Sequence, residues 1–164
     1  MTELNAARSA EYGAASFAGT VHATSVVIDG KAVLIAGRSG AGKSDLALRL
    51  IDRGATLLSD DYTHVEQQHE SVFARAPATI AGQIEVYGVG ILRMPHAPLA
   101  PAALIVQPSD EFAEQRLPAD GQTLTLCGIP LPCFLLRFSD ASAPIKVELA
   151  LRHLLAQPAE QQIS

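Results

Sequence analysis

An α/β fold built on a mixed sheet is the architecture this sequence predicts, and three features carry the prediction. The first is Gly37-Arg38-Ser39-Gly40-Ala41-Gly42-Lys43-Ser44, set between the apolar run Ala32-Val33-Leu34-Ile35-Ala36 and the helix-like run Asp45-Leu46-Ala47-Leu48-Arg49-Leu50-Ile51. The second is Asp29-Gly30 between two β-branched runs, a strong short-range signal for an antiparallel hairpin. The third is a pair of later apolar runs, Ala55-Thr56-Leu57-Leu58-Ser59 and Ala102-Ala103-Leu104-Ile105-Val106, short enough to be buried strands.

The glycine-rich octapeptide fits G-x-x-x-x-G-K-[ST], the pattern of a loop that cradles phosphate. Polyphosphate oxygens need several backbone N–H donors converging on one point, and Gly37, Gly40 and Gly42 let the chain curl without a Cβ in the way. The helix that follows turns its positive end toward the anion. Lys43 can reach the terminal phosphates, and the Ser44 hydroxyl can join a Mg²⁺ shell. A chance match in a chain of this length is on the order of one in two hundred, so a glycine-rich turn without a ligand is the poorer reading.

Taken in order, the chain begins with a polar tail and reaches Val21-His22-Ala23-Thr24-Ser25-Val26-Val27-Ile28, the first strand of the hairpin. His22 stands at its start and the phosphate loop leaves the end of the second strand, so the two share one end of the hairpin. By itself His22 also reads as a surface or hydrogen-bonded structural residue. The helix from about Lys43 stops at Arg53-Gly54, a basic last turn followed by glycine. After the next strand come Asp60 and Asp61, adjacent carboxylates that repel each other unless a cation or a proton is shared. One can serve Mg²⁺ while the other accepts a proton; a solvated Asp-rich turn is the alternative.

Residues 63–75 read as a polar hairpin with Glu66-Gln67-Gln68-His69-Glu70 at its tip, His64 and His69 being exposed. Glu85 and Tyr87 then alternate with apolar neighbours among Gly82, Gly88 and Gly90. Glu85 is either a second metal ligand or an outward-facing strand residue. Further strands are expected at Thr123-Leu124-Thr125-Leu126 and Leu131-Pro132-Cys133-Phe134-Leu135-Leu136, the latter confined by its prolines to an edge or a start. The last element is a helix capped by Ser142 or Asp140, with Pro144 in its first turn and a buried side made of Ile145, Leu149, Leu151, Leu154 and Leu155.

The 164 residues, 48% of them hydrophobic, suit one domain over 16–157, with a flexible N-terminal tail over 1–15 and a C-terminal tail over 158–164. Lys and Arg number 12 against 17 Asp and Glu, for a net charge of −5 without any basic stripe, which argues against a nucleic-acid partner. No apolar run approaches the ~20 residues that span a bilayer, so no membrane is expected. The first residues lack a secretory pattern, and Cys127 and Cys133 have no zinc-ligand spacing; partly buried thiols of a cytoplasmic protein are expected.

The phosphate loop, the helix ending in Arg53-Gly54, the strand ending in Ser59-Asp60-Asp61, His22 before the hairpin and Glu85-Val86-Tyr87-Gly88-Val89-Gly90 after it together resemble the catalytic domain of the bacterial HPr kinase/phosphorylase family. The resemblance runs from about Val21 to Leu155 and implies a P-loop kinase domain with the HPr kinase/phosphoenolpyruvate carboxykinase-like fold. It implies an ATP- and Mg²⁺-dependent kinase that phosphorylates a serine of HPr, a small phosphocarrier protein of the sugar phosphotransferase system, or of its nitrogen-branch paralogue, and that assembles as a homo-oligomer. Carried over by position, Gly37 to Ser44 cradle ATP, Lys43 steadies the phosphate charge, and Ser44, Asp60 and Glu85 serve the metal. Asp61 is the implied base, His22 the histidine near the phosphate, and Arg116 the later active-site arginine.

The chain departs from the longer members in having only about twenty residues before His22, as in the family's short forms. Tyr87 stands where they place an arginine, and Met94-Pro95-His96-Ala97-Pro98 where they carry a glycine-rich segment. The family's second reaction, phosphorolysis of the phosphoserine, is tied to that segment, which leaves it open here. Two other readings stand beside the kinase: a small-metabolite P-loop kinase, for which the chain lacks an arginine-rich lid, and a nucleotide-binding regulatory module without catalysis.

Overall fold

The computed structural model describes residues 18–109 and 122–157. Its strands are β1 (Ala18–Val21), β2 (Ala23–Ile28), β3 (Lys31–Ala36), β4 (Thr56–Ser59), β5 (Thr63–Gln68), β6 (Ser71–Arg75), β7 (Gln83–Val86), β8 (Gly90–Arg93), β9 (Ala100–Pro108), β10 (Thr123–Leu126) and β11 (Ile129–Leu136). The helices are α1 (Lys43–Asp52) and α2 (Ala143–Ala156). The expected hairpin is present: β2 and β3 pair antiparallel from Ile28↔Lys31 to Ala23↔Ala36, with Asp29 (φ 51°) and Gly30 (φ 78°) both left-handed in the turn.

The main sheet is mixed, as the sequence predicts. Strands β3, β9 and β11 run parallel to one another, and β2 lies antiparallel between β3 and β4. Strands β1, β5 and β6 form an antiparallel wing that joins through the first residues of β9, while β7 and β8 make a separate two-stranded hairpin. The apolar runs of β3 and β9 are buried on both faces. Ala32, Leu34, Ala36 and Ile105 pack into one cluster with Val65, Val72 and Ala74 of the wing; Val33, Ile35, Leu104 and Val106 pack into the other with Leu46, Ala47 and Leu50 of α1 and Val147 and Leu151 of α2. That is why these strands read as continuous hydrophobic runs rather than alternating ones.

Helix α1 follows Gly42, an N-cap without a side chain to bond, and is succeeded by Arg53 and Gly54, whose φ is 112°. Arg49 anchors it to the segment after β11, donating to Phe138 O and, at 3.0 Å, to Asp140 O. Arg53 donates to Glu148 on α2, which fixes the two helices to each other and raises the guanidinium pKa from its ordinary value.

One sequence expectation holds and two are corrected. Strand β11 pairs with β10 through Ile129–Pro132 and with β9 through Cys133–Leu136, so the proline-bearing part is the start of the strand and none of its residues has paired neighbours on both sides, as expected. Its prolines, Pro130 and Pro132, lie before the β9 pairing begins, where a missing N–H costs no ladder bond to that neighbour. In α2 the buried residues are Ala143, Pro144, Val147, Glu148 and Leu151, whereas Ile145, Leu149 and Leu155 are exposed. The helix is apolar on more than one face, so periodicity could not choose which face the core would take. Cys127 and Cys133, expected to be partly buried, are buried.

Candidate active site

The site forms where the chain changes sheets. It crosses from the wing into the main sheet at His22, between β1 and β2, and returns through Asp60, Asp61 and Tyr62, between β4 and β5. Val21 faces Thr63 in one sheet and Ser25 faces Ser59 in the other, so the two crossings are set opposite each other. The pairing Ala23↔Ala36 brings the end of β3, and with it the phosphate loop, to the same place. His22, the loop and the two acidic residues, up to 39 positions apart in sequence, converge.

The loop has the backbone its glycines predict. Gly37, Gly40 and Gly42 have φ of 150°, 86° and 96°, and a Cβ on Gly37 would lie 3.2 Å from Ala41 Cβ and 3.3 Å from Pro108 Cγ. Arg38, Ser39 and Gly40 are exposed at the crest of the loop, and Ala41 N donates to Arg38 O at 3.0 Å. Lys43 is buried, and its ammonium donates to Gly37 O at 2.7 Å and Arg38 O at 3.0 Å. The charge is thereby held inside the curve of the loop. With no capping side chain at Gly42, the first-turn N–H groups of α1 remain oriented for an anion.

Asp60 and Asp61 are adjacent but have different environments. Asp60 is 8% exposed, and its carboxylate accepts from Ser44 Oγ at 2.6 Å and Thr24 Oγ1 at 3.1 Å on one oxygen and from Glu85 N at 2.9 Å on the other. Asp61 has its side chain 49% exposed and turns the other way, with Oδ1 2.7 Å from His22 Nε2 and 3.8 Å from Lys43 Nζ. The divergence comes from a three-residue turn: Tyr62 N donates to Asp60 O at 2.7 Å around Asp61, whose φ is 65°. A left-handed conformation outside glycine costs roughly 1–3 kcal/mol and persists where surrounding contacts enforce it. One carboxylate is buried and accepts from three donors; the other is presented.

His22 is held between Asp61 and Lys43. Its ring stacks on Tyr62 with centroids 5.0 Å apart and planes 16° apart, and Nε2 lies 3.3 Å from Lys43 Nζ. A proton on Nε2 lets it donate to Asp61; a proton on Nδ1 lets it accept from Lys43. The ring is a hinge between an ammonium and a carboxylate.

Of the sequence-predicted residues, His22, the loop from Gly37 to Ser44, Asp60 and Asp61 are thus assembled in one place. Glu85 reaches the assembly through its backbone N–H, while its residue is exposed, and among the described residues no group of three His, Cys, Asp or Glu side chains converges as a metal cage. Arg116 lies outside the described residues. Sequence reasoning missed Thr24 and Tyr62. The available signal for Thr24 was a polar pair, Thr24-Ser25, opening an otherwise apolar strand, both of them fully buried. The donor set, a hydroxyl and a carboxylate beside a phosphate loop, suits Mg²⁺, which takes one or two protein oxygens and keeps the rest for water and phosphate.

Residues 15–97, just over half of the 164, match the family described as HPr Serine kinase C-terminal domain. HPr kinase/phosphorylases of Burkholderia lata and Burkholderia cenocepacia are each 34% identical over 151 residues, which is 84% of this chain and 46% of theirs. The chain therefore spans about half the length of the curated relatives it matches. A solved Hpr(Ser) kinase/phosphatase from Coxiella burnetii superposes with a TM-score of 0.69 at 28% identity, covering 82% of this chain and 94% of that one. No helix among the described residues is long and apolar enough to cross a membrane.

Proposed function

The chain belongs to the HPr serine kinase C-terminal domain family, and from that premise we propose that it is an ATP- and Mg²⁺-dependent protein-serine kinase acting on HPr or its nitrogen-branch paralogue. The observation that carries the proposal is the placement of Asp61 Oδ1 at 3.8 Å from Lys43 Nζ and 2.7 Å from His22 Nε2, with the Ser44–Asp60 pair alongside. The names of the relatives support the same reading, each being called a kinase of HPr.

In this mechanism the triphosphate of ATP lies on the N–H groups of residues Gly37 to Ser44, and Lys43 exchanges its loop carbonyl partners for phosphate oxygens. The serine hydroxyl of the partner approaches from the exposed side of Asp61. Asp61 takes its proton as the serine oxygen forms a bond to the γ-phosphorus and the bond to the β,γ-bridging oxygen breaks, leaving ADP and phosphoserine. His22 and Tyr62 keep the Asp61 carboxylate from swinging away. Mg²⁺, when bound, neutralises charge on the β- and γ-phosphate oxygens, and Ser44, Asp60 and Glu85 are the residues that would hold it. Donation of the Ser44 proton to Asp60 leaves the hydroxyl lone pairs available for the cation.

The proposed partner is a folded phosphocarrier protein in the cytoplasm, met by a homo-oligomer of this chain, with Arg116 adding charge to the active site. Phosphorolysis would need inorganic phosphate as the attacking group, and the resemblance links that step to a glycine-rich segment where this chain has Met94-Pro95-His96-Ala97-Pro98. The test is incubation with ATP, Mg²⁺ and purified HPr: phosphoserine on HPr supports the proposal, and nucleotide binding without transfer favours a regulatory module.

A further inference from the structure

We propose that Thr24 is a positioning residue for both acidic side chains of the site, acting through its single hydroxyl. This rests on the kinase reading for its effect on transfer, but its geometry stands without it. The Thr24 hydroxyl has one proton and two lone pairs. The proton goes to Asp60 Oδ1 at 3.1 Å, and a lone pair accepts from Asp61 N at 3.0 Å. One atom therefore grips the side chain of the first carboxylate and the backbone of the second.

Three properties make Thr24 more than a satisfied core hydroxyl. It is fully buried, so no water can replace it. It is β-branched, with a side-chain torsion that β2 restricts, so the hydroxyl is aimed rather than found. It also acts where the backbone is least able to hold itself: Asp61 is left-handed at φ 65° inside a three-residue turn whose own hydrogen bond, from Tyr62 N to Asp60 O, leaves the Asp61 N–H to Thr24. Without that acceptor the peptide between Asp60 and Asp61 is free to rotate toward a relaxed turn. Asp60 would lose one of its three donors and Asp61 its aim in the same event.

The consequence is a division of effects that a general packing role would not give. Nucleotide contacts come from the loop and Lys43, whereas the Thr24 hydroxyl bonds to Asp60 and Asp61. Metal holding depends on Asp60, and proton removal on Asp61. Thr24→Val keeps the shape and removes both bonds; Thr24→Ser keeps the hydroxyl.

The experiment compares wild type, Thr24→Val and Thr24→Ser for binding of a non-hydrolysable ATP analogue with and without Mg²⁺, and for steady-state transfer to HPr. Expected for Thr24→Val are metal-free nucleotide affinity within about twofold of wild type and a Mg²⁺ requirement raised about fivefold or more. Its kcat should fall about thirtyfold or more with the KM for HPr little changed, since misplacing a reacting group by about 1 Å is costly. Thr24→Ser should return each to within about threefold of wild type, because it keeps the charge-assisted donor to Asp60. Wild-type Mg²⁺ dependence in Thr24→Val, equal impairment of Thr24→Ser, or loss of metal-free nucleotide binding together with the rest would overturn the proposal. If wild type transfers nothing to HPr, the kinase reading fails and the Mg²⁺ dependence of binding alone decides the role of Thr24. Should Thr24→Val not fold, Thr24→Ala makes the same comparison.

Discussion

Asp61 Oδ1 stands 3.8 Å from Lys43 Nζ, a contact between the turn after β4 and the first residue of α1. The ammonium is buried and the carboxylate half exposed, so the pair joins the inside of the phosphate loop to the surface where a partner can arrive. Transfer needs the two groups close together, because the base must reach the serine hydroxyl while the ammonium faces oxygens of the phosphate that this hydroxyl attacks.

Asp61→Asn preserves shape and most hydrogen bonding but cannot accept the serine proton. Transfer to HPr should fall about a hundredfold or more. ATP affinity should hold or tighten, since a negative charge beside the phosphates is removed. Isothermal titration and a steady-state transfer assay separate the two; a variant with wild-type kcat would remove Asp61 from its assigned role.

The Ser44–Asp60 bond of 2.6 Å makes the hydroxyl a directed oxygen donor toward a cation. Ser44→Ala should raise the Mg²⁺ concentration for half-maximal transfer by about tenfold, the loss of one charge-assisted hydrogen bond, while leaving metal-free nucleotide binding nearly intact. Chelation of divalent cations by EDTA should abolish transfer in the wild type and be reversed by added Mg²⁺. Transfer unaffected by EDTA contradicts the assignment.

Gly37→Ala introduces a Cβ at a φ of 150° and within 3.3 Å of both Ala41 and Pro108. The loop must shift where β3 and β9 end side by side, which should cost about 1–3 kcal/mol of stability and weaken nucleotide binding. Gly30→Ala is the control, because a Cβ there meets nothing within 4 Å although its φ of 78° is left-handed. It should lose stability to a similar or smaller extent and keep nucleotide affinity. Thermal denaturation with and without an ATP analogue reads both.

Burial pushes the Cys133 thiol up to about 11 from an ordinary 9.0, and its proton is donated to Gln107 Oε1 at 3.3 Å. A raised acid pKa means the folded chain keeps a proton that the unfolded chain releases. Its contribution is therefore present below pH 9.0 and is lost as pH rises from 9.0 to about 11, at about 1.4 kcal/mol per pH unit. Cys133→Ala should show a shallower loss of denaturant stability across that interval than wild type. Equal slopes would mean that the thiol ionises without a folding penalty. At neutral pH the folded protein should resist alkylation at Cys133 until it is denatured.

Much of this was legible in the sequence because it rests on local chemistry. Asp29-Gly30 announces the β2–β3 hairpin, the glycines from Gly37 to Gly42 announce a loop with left-handed backbone, and together they put His22 beside the loop. Whatever depends on the second sheet was hidden. That Asp60 turns inward and Asp61 outward follows from pairing β4 with β2 and β5 with β1, partners that no window of sequence contains. Thr24 is silent for the same reason, its partners lying 36 and 37 residues away. The buried face of α2 was misread because Ile145, Val147, Leu149 and Leu151 are all apolar, so which of them meets Val33 and Leu104 is decided by the sheet below.

The most direct test of the central claim is intact-mass and phosphopeptide analysis of HPr and its nitrogen-branch paralogue after incubation with this protein, ATP and Mg²⁺, run beside Asp61→Asn. A single phosphate on one serine of either carrier with wild type, and none with Asp61→Asn at matched nucleotide occupancy, is the predicted result. Bound nucleotide with both carriers unmodified, or equal modification by the two enzymes, would contradict the account.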